Sequence, residues 1–318
     1  MRILYQVEML NSMFGGLTIK RIIACILVIC ALFCEGCVKS ETQEYAFSYR
    51  EDGSVDLSEG YIALGLRQNG RVIDNGSTLQ VQGNKLSFGV NFQQNESQKV
   101  EYGLIVLLDY RQEYYSVDDE RTNFYRFFLE GKADKNIEVT IDLTEQYASK
   151  LSYLIIAEPG LCDFSLDKEN GVKKLLRSMD VFGGYALIEQ EKGKVQPIEG
   201  VELEASSLDG EISGFGILDE NNGDNLLITV HPNEQRTVHI TPWDEDGHDY
   251  VLLYFCDWEQ LSLDGNEPYR MYKNLRGDNY AYFDTITIPD KTGVGQMLLL
   301  REDGLVLIIE RTPRFDVR

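Results

Sequence analysis

The chain is poor in the residues that do most protein chemistry. It has 3 His, 6 Cys and 2 Trp in 318 residues. All three histidines, His231, His239 and His248, lie in the C-terminal half, and none stands at metal-ligand spacing from a Cys, so no zinc site is expected. No G-x-S-x-G elbow, phosphate loop or dinucleotide fingerprint occurs, so nucleophilic triads and nucleotide cofactors have no sequence support, and no cofactor is expected. Four of the cysteines crowd the first 37 residues, with only Cys162 and Cys256 beyond, which excludes a small disulfide-stapled scaffold. Basic residues are also scarce, 30 Lys and Arg against 52 Asp and Glu, for a net charge of −22. Such a surface repels phosphate backbones and anionic lipid heads, so nucleic acid is not an expected partner.

Long apolar runs are missing too. The one stretch of note is Ile22–Cys34, IIACILVICALFC. As a helix it would reach about 20 Å, short of the roughly 30 Å hydrocarbon core of a bilayer. Lys20 and Arg21 precede it and small residues follow, the pattern of a secretory signal peptide over residues 1–36, with Met13 as a second candidate start. Gly36 before Cys37 resembles the lipobox of bacterial lipoproteins, although Glu35 and Cys34 depart from its usual small or aliphatic residues. The resemblance implies lipidation at Cys37, attachment to the membrane through that lipid, and a place on the outer face of the cell membrane. Plain secretion and a retained N-terminal anchor are the alternatives.

What the chain does have is a repeat. YGLIVLLDYRQ from Tyr102 and YVLLYFCDWEQ from Tyr250 share Tyr, six residues, Asp, an aromatic, any residue and Gln at an offset of 148. Val90 and Phe92 match Val238 and Ile240 at the same offset, YRFF at Tyr125 matches YRMY at Tyr269, VTID at Val139 matches ITIP at Ile286, and LIIAEPG at Leu154 matches LLLREDG at Leu298. Upstream, the stretch from Gly60 resembles that from Gly184, which would place 24 extra residues near 201–225 of the second copy, a Gly-, Asp- and Asn-rich loop or added hairpin.

Both copies read as strands. Leu86, Phe88, Val90 and Phe92 alternate with polar or small residues at period two, as do Ile137, Val139, Ile141 and Leu143. Leu104–Leu108 and Val251–Cys256 are apolar on both faces, as expected of a central strand covered on both sides. The expected fold is therefore all-β, two tandem immunoglobulin-like β-sandwiches from an internal duplication, without the paired cysteines and intervening Trp of antibody domains. The organisation would be an anchor linker with a first strand over 37–59, a first module over 60–160, a connector over 161–183 and a second module over 184–318. Leu175, Leu176 and Met179 at helical spacing suggest a short helix over Asn170–Phe182, packed at the junction of the copies.

Asp109, Asp257, Gln112 and Gln260 read as the exit of a duplicated core strand rather than a ligand site. Cys256 stands where the first copy has Leu108 and reads as a buried thiol, and a bridge to Cys162 is the alternative. His239, opposite Val238 and Ile240, reads as half-exposed. Asp244 and Asp246 in WDEDGHD are the calcium candidates, but the ligand pattern breaks at His248 and Asp249. The loops EYYSVDDERTN and LSLDGNEP differ between copies, and Tyr114, Tyr115 and Phe215 are the expected contacts for an envelope protein or glycan. The expected function is an exported, lipid-anchored envelope protein that binds or scaffolds without catalysis. A glycan-acting envelope enzyme, and an immunity or inhibitory lipoprotein sequestering a basic exported protein, are the alternatives.

Overall fold

A computed structural model describes residues 62–318 apart from 145, 162–179, 191–198, 208–213, 219–228, 243, 264–266, 278, 279, 304 and 305. The signal segment, Cys37, Cys162 and most of the expected helix lie outside the described residues. Every regular element among those described is a strand. The first ten are β1 (Ile62–Gln68), β2 (Arg71–Ile73), β3 (Thr78–Gln80), β4 (Lys85–Leu108), β5 (Arg111–Gln112), β6 (Tyr115–Val117), β7 (Glu120–Thr122), β8 (Tyr125–Asp142), β9 (Lys150–Ala157) and β10 (Val181–Glu189), and they form one 10-stranded sheet.

That sheet folds over into two layers. The first half of β4 pairs with β1 and with the end of β8, while its second half pairs with the start of β8 and with β9. The turning point is a register shift between Asn95 and Lys99, opposite Gly131, whose φ of 66° suits a residue without a Cβ. Phe92 and Tyr102, on one strand, come back together with ring centroids 4.6 Å apart, and the Tyr102 hydroxyl donates to Gln94 Oε1 at 2.7 Å. The residues predicted to alternate inward, Leu86, Phe88, Val90 and Phe92, are all buried in the core between the two layers.

The remaining strands are β11 (Ala205–Ser207), β12 (Gly214–Ile217), β13 (Thr229–Val230), β14 (Gln235–Thr241), β15 (His248–Cys256), β16 (Glu259–Leu261), β17 (Tyr269–Leu275), β18 (Tyr280–Thr287), β19 (Gly293–Asp303), β20 (Val306–Arg311) and β21 (Phe315–Val317). They make two sheets, a 4-stranded one in the order β11-β18-β14-β12 and a 7-stranded one built around β13-β21-β19-β15-β16, with β17 on β15 and β20 on β19. Val238, Ile240, Leu252, Tyr254, Ile286 and Leu299 share one core between them. The fold is thus all-β and built of two sandwiches. Both belong to one compact unit, Leu57–Arg318.

The twin stretches occupy equivalent strands in separate sheets. Leu104 pairs with Ile155 and Leu252 with Leu299, and the 148 offset holds from β4 to β15. Three parts of the expected repeat need correction. Gly184 does not open the second copy, because β10 pairs antiparallel with β9 and parallel with β3 and so completes the first sandwich. The true partner of β1 is β12: Leu66 lies opposite Val90 as Ile217 lies opposite Val238. With that pairing the insertion near 201–225 disappears, since β11, β12 and a bridge from Val201 to Tyr272 are working parts of the second sandwich. Finally, YRFF and YRMY are one residue out of step. Phe127 faces Tyr102 as Tyr272 faces Tyr250, so Phe127 and Tyr272 are the equivalent buried rings, and Phe128 is left 55% exposed.

Candidate functional site

The repeated Asp–aromatic–x–Gln begins as a turn. Two residues join Leu108 to Arg111, and two join Cys256 to Glu259. Both central residues have positive φ in each, 43° and 67° for Asp109 and Tyr110, 51° and 65° for Asp257 and Trp258. This is the hairpin turn that follows the right-handed twist of its strands, usually written with Asn and Gly because other residues pay about 1–2 kcal/mol at positive φ. The carboxylates offset that cost. Asp109 accepts from the Ser149 and Lys150 amides and from the Ser149 hydroxyl, at 2.8–3.2 Å. Asp257 accepts from the equivalent amide of Val294 at 3.0 Å. Each Asp ties its turn to the start of the neighbouring strand.

The aromatic and the Gln face the other module. Gln112 N–H donates to Gln260 Oε1 at 2.6 Å, and Gln260 N–H donates to Gln112 Oε1 at 2.7 Å. Gln112 Nε2 donates to the Trp258 carbonyl, and Gln260 Nε2 to the Tyr110 carbonyl, both at 2.8 Å. The second hydrogen of each amide goes to its own module, to the Asn123 and Pro268 carbonyls at 3.0 and 2.8 Å. Both side-chain amides thereby use both donors and the oxygen. The contact is isologous, the same patch from both partners, as in a two-fold dimer, but written within one chain.

An apolar layer of the same symmetry lies beside it. Ile105, Leu107, Leu154 and Ile156 pack with their counterparts Leu253, Phe255, Leu298 and Leu300. Burying each such side chain is worth about 1.5–3 kcal/mol, so this layer outweighs the polar contacts in stability while the glutamines fix its register. It also explains why the twin strand is apolar on both faces: one face lines its own sandwich and the other lines the junction. Trp258 stacks on Phe124 at 5.6 Å, donates from Nε1 to the Pro159 carbonyl at 2.9 Å, and lies 4.9 Å from the Arg314 guanidinium. Arg314 is fully buried and donates to the carbonyls of Ala157, Glu158 and Leu161, drawing the end of the second module onto the first.

The expected contact residues divide. Tyr114 is 56% exposed on the β6 hairpin, with the Arg121 guanidinium 4.9 Å from its ring centroid. Tyr115 is not a surface residue. It is buried, and its phenol takes the Tyr125 amide at 3.0 Å while donating to the Leu104 carbonyl at 2.6 Å, bridging a ladder position between β4 and β8. Phe215 packs against the second core opposite Ile240, because β12 is a strand and not a loop. His239 is buried, not half-exposed, with its imidazole over Gly216, where a Cβ would stand 2.8 Å from the ring. Cys256 is a free, buried thiol, as its match to Leu108 predicts, and burial raises its pKa. Lipidation at Cys37 falls outside the described residues.

The acidic turn near Asp244 does not assemble a cation cage. Asp244 pairs with Arg301 at 2.8 Å and lies 3.7 Å from His248 Nε2, Asp246 points to solvent, and among the described residues no three His, Cys, Asp or Glu side chains converge as metal ligands. Arg301 also donates to the Tyr250 hydroxyl at 3.3 Å. Glu310, on the same edge of the second core, is pushed up to about 7 by burial, with Arg301 opposing the shift. Sequence reasoning missed this group and the glutamine pair. The reciprocal identity of Gln112 and Gln260 was visible, but nothing in one dimension says that two equivalent turns face each other.

No protein-family model and no curated protein matches the chain. Among solved structures, the Escherichia coli chaperone DraB shares 10% identity over 81% of this chain and 96% of its own, with a TM-score of 0.25. The Salmonella enterica SafA pilin in complex with the SafB chaperone gives 9%, 82% and 97%, with a TM-score of 0.27. The C-terminal domain of the Streptococcus agalactiae BspA polypeptide gives 8%, 80% and 100%, with a TM-score of 0.22. At these TM-scores the matches assign no function.

Proposed function

We propose that this chain is an exported envelope protein, held to the outer face of the cell membrane by a lipid on Cys37, that binds or scaffolds a protein partner without catalysing a reaction. The observation that carries this reading is the junction. Two sandwiches joined by reciprocal glutamines and a shared apolar layer form one compact unit rather than two beads on a tether. Such a frame suits loops that must be presented in a fixed relation, the usual place for recognition on β-sandwiches. The contact residue is Tyr114, with Arg121 beneath it, while Tyr115 and Phe215 serve the cores. The test is affinity capture from envelope extract with the mature chain and with Tyr114→Ala, at low and high salt. Specific capture lost in the variant supports the reading. Capture by both proteins that vanishes with salt would instead favour sequestration of a basic partner by the acidic surface. Metabolic lipid labelling of the parent against Cys37→Ser tests the anchor, and label on both proteins would refute it.

A further inference from the structure

The two modules treat the same strand edge differently. In the second, β17 lies at the edge of its sheet and receives one more piece of chain: Val201 N–H donates to the Met271 carbonyl at 2.8 Å, and Lys273 N–H donates to the Val201 carbonyl at 3.0 Å. The added piece runs parallel to β17, with Val201 bridging Tyr272 and Leu203 packed against the core. Its pattern is apolar, polar, apolar over Val201, Glu202 and Leu203.

The equivalent edge in the first module is the start of β8. Through the pairs Tyr102–Phe127 and Tyr250–Tyr272, Met271 corresponds to Arg126 and Lys273 to Phe128. The polarity agrees. The Tyr125 amide turns toward β4, where the Tyr115 phenol links it to Leu104, so the backbone groups of Arg126 and Phe128 turn away from β4. Among the described residues β8 pairs only with β4 and, at Thr140, with β6, and no described strand pairs with Arg126–Phe128 on the side away from β4. The edge also carries an exposed apolar ring: Phe128 is 55% exposed, covered on one side by Lys99 at 4.7 Å. Exposed edges are normally blunted by charge, proline or a bulge; here Arg126 brings one charge, paired with Glu101 at 3.3 Å, and the aromatic Phe128 stands at the second pairing position.

We infer that the Arg126–Phe128 edge of β8 accepts one extended segment of a partner protein, running parallel to β8, with apolar residues at alternate positions. The Arg126 carbonyl accepts from the incoming strand and the Phe128 amide donates to it, while the alternate apolar side chains settle beside Phe127 and Leu129 at the rim of the first core. Main-chain pairing supplies the affinity and the side-chain alternation the selectivity. This deepens the binding role proposed above by naming the kind of partner. The assay below reads the edge alone, so its failure leaves capture through Tyr114 standing.

The probe is a synthetic peptide, Gly-Val-Glu-Leu-Glu-Ala, copied from residues 200–205, with a version in which Pro replaces Val as control. Titrated into the mature chain, the parent peptide should bind saturably and slow hydrogen exchange at the Phe128 amide, and the Pro peptide should not. Phe128→Pro removes the donor at an edge position where proline is tolerated, and should weaken binding about tenfold or more. Phe128→Lys keeps the amide and copies Lys273, and should bind within about threefold of the parent, which separates loss of the amide from loss of the ring. A urea midpoint for Phe128→Pro close to that of the parent separates loss of pairing from loss of fold. Equal binding to Phe128→Pro, or no slowing at Phe128 with saturating peptide, overturns the proposal. So does binding seen only after the N-terminus is shortened, or concentration-dependent dimers that Phe128→Pro abolishes, which would assign the edge to this chain itself.

Discussion

The first module passes between its layers on continuous strands, β4 and β8, whereas the second breaks both paths, between β14 and β15 and again between β17 and β18. The inner residues hardly notice. Val90 and Val238, Phe92 and Ile240, Leu104 and Leu252 hold matching buried places in either case. The lesson is that a sandwich is specified by which side chains face inward, while the way the chain turns the corner is free to drift. What fills the corner then differs: Tyr102 meets Gln94 in the first module, but Tyr250 meets Arg301, which also holds Asp244.

The sharpest test of that equivalence lies in the two cores. Leu104→Ala and Leu252→Ala each remove a fully buried side chain at the same place in the repeat. Each should cost about 2–5 kcal/mol in urea unfolding, and the two costs should agree within about 1 kcal/mol. A large inequality would mean that the modules have diverged in packing as well as in connection.

A smaller effect is expected at the junction. Gln112→Ala and Gln260→Ala each leave backbone groups of the opposite turn without a partner, for about 1–3 kcal/mol apiece. Because the contacts are reciprocal, the double variant should lose clearly less than the sum of the single losses, by about 1 kcal/mol or more. Strict additivity would show that the two amides act independently.

The smallest effect separates the corners by pH. Glu310 has its folded-state pKa raised to about 7 from an ordinary 4.5, mainly by burial, beside Arg301. A carboxyl raised in this way favours the folded state when protonated, so stability falls as pH rises from about 4.5 through 7. Glu310→Gln should therefore stabilise the protein by about 1–2 kcal/mol at pH 8, discounted for its position at the rim, and by almost nothing at pH 4. The first module carries Phe182 opposite the same strand and should show no such dependence. Equal stabilisation at both pH values would remove the charge from the explanation.

Much of the fold was legible because the duplication is written in side chains with period-two burial. Leu86 to Phe92 and Ile137 to Ile141 point where their alternation says, and Cys256 takes the place of Leu108. The misreadings arose where similarity ran along the sequence without a matching partner. Gly184 resembles Gly60, but a strand's identity is fixed by its neighbours, and β10 has β9 beside it. Glycine- and acid-rich surroundings hid β11 and β12, two edge strands of three and four residues. Tyr115 looked exposed beside Tyr114 because a hairpin alternates its faces, and the sequence alone does not say which face is covered.

The sequence by itself determined two sandwiches, their inner faces, and the turn that closes each twin strand, because those depend on local alternation and on short-range backbone geometry. Only the tertiary structure decided what the outward face of that strand meets. Ile105 and Leu253, or Gln112 and Gln260, are 148 positions apart, and their contact depends on the packing of whole sheets, which no local pattern encodes.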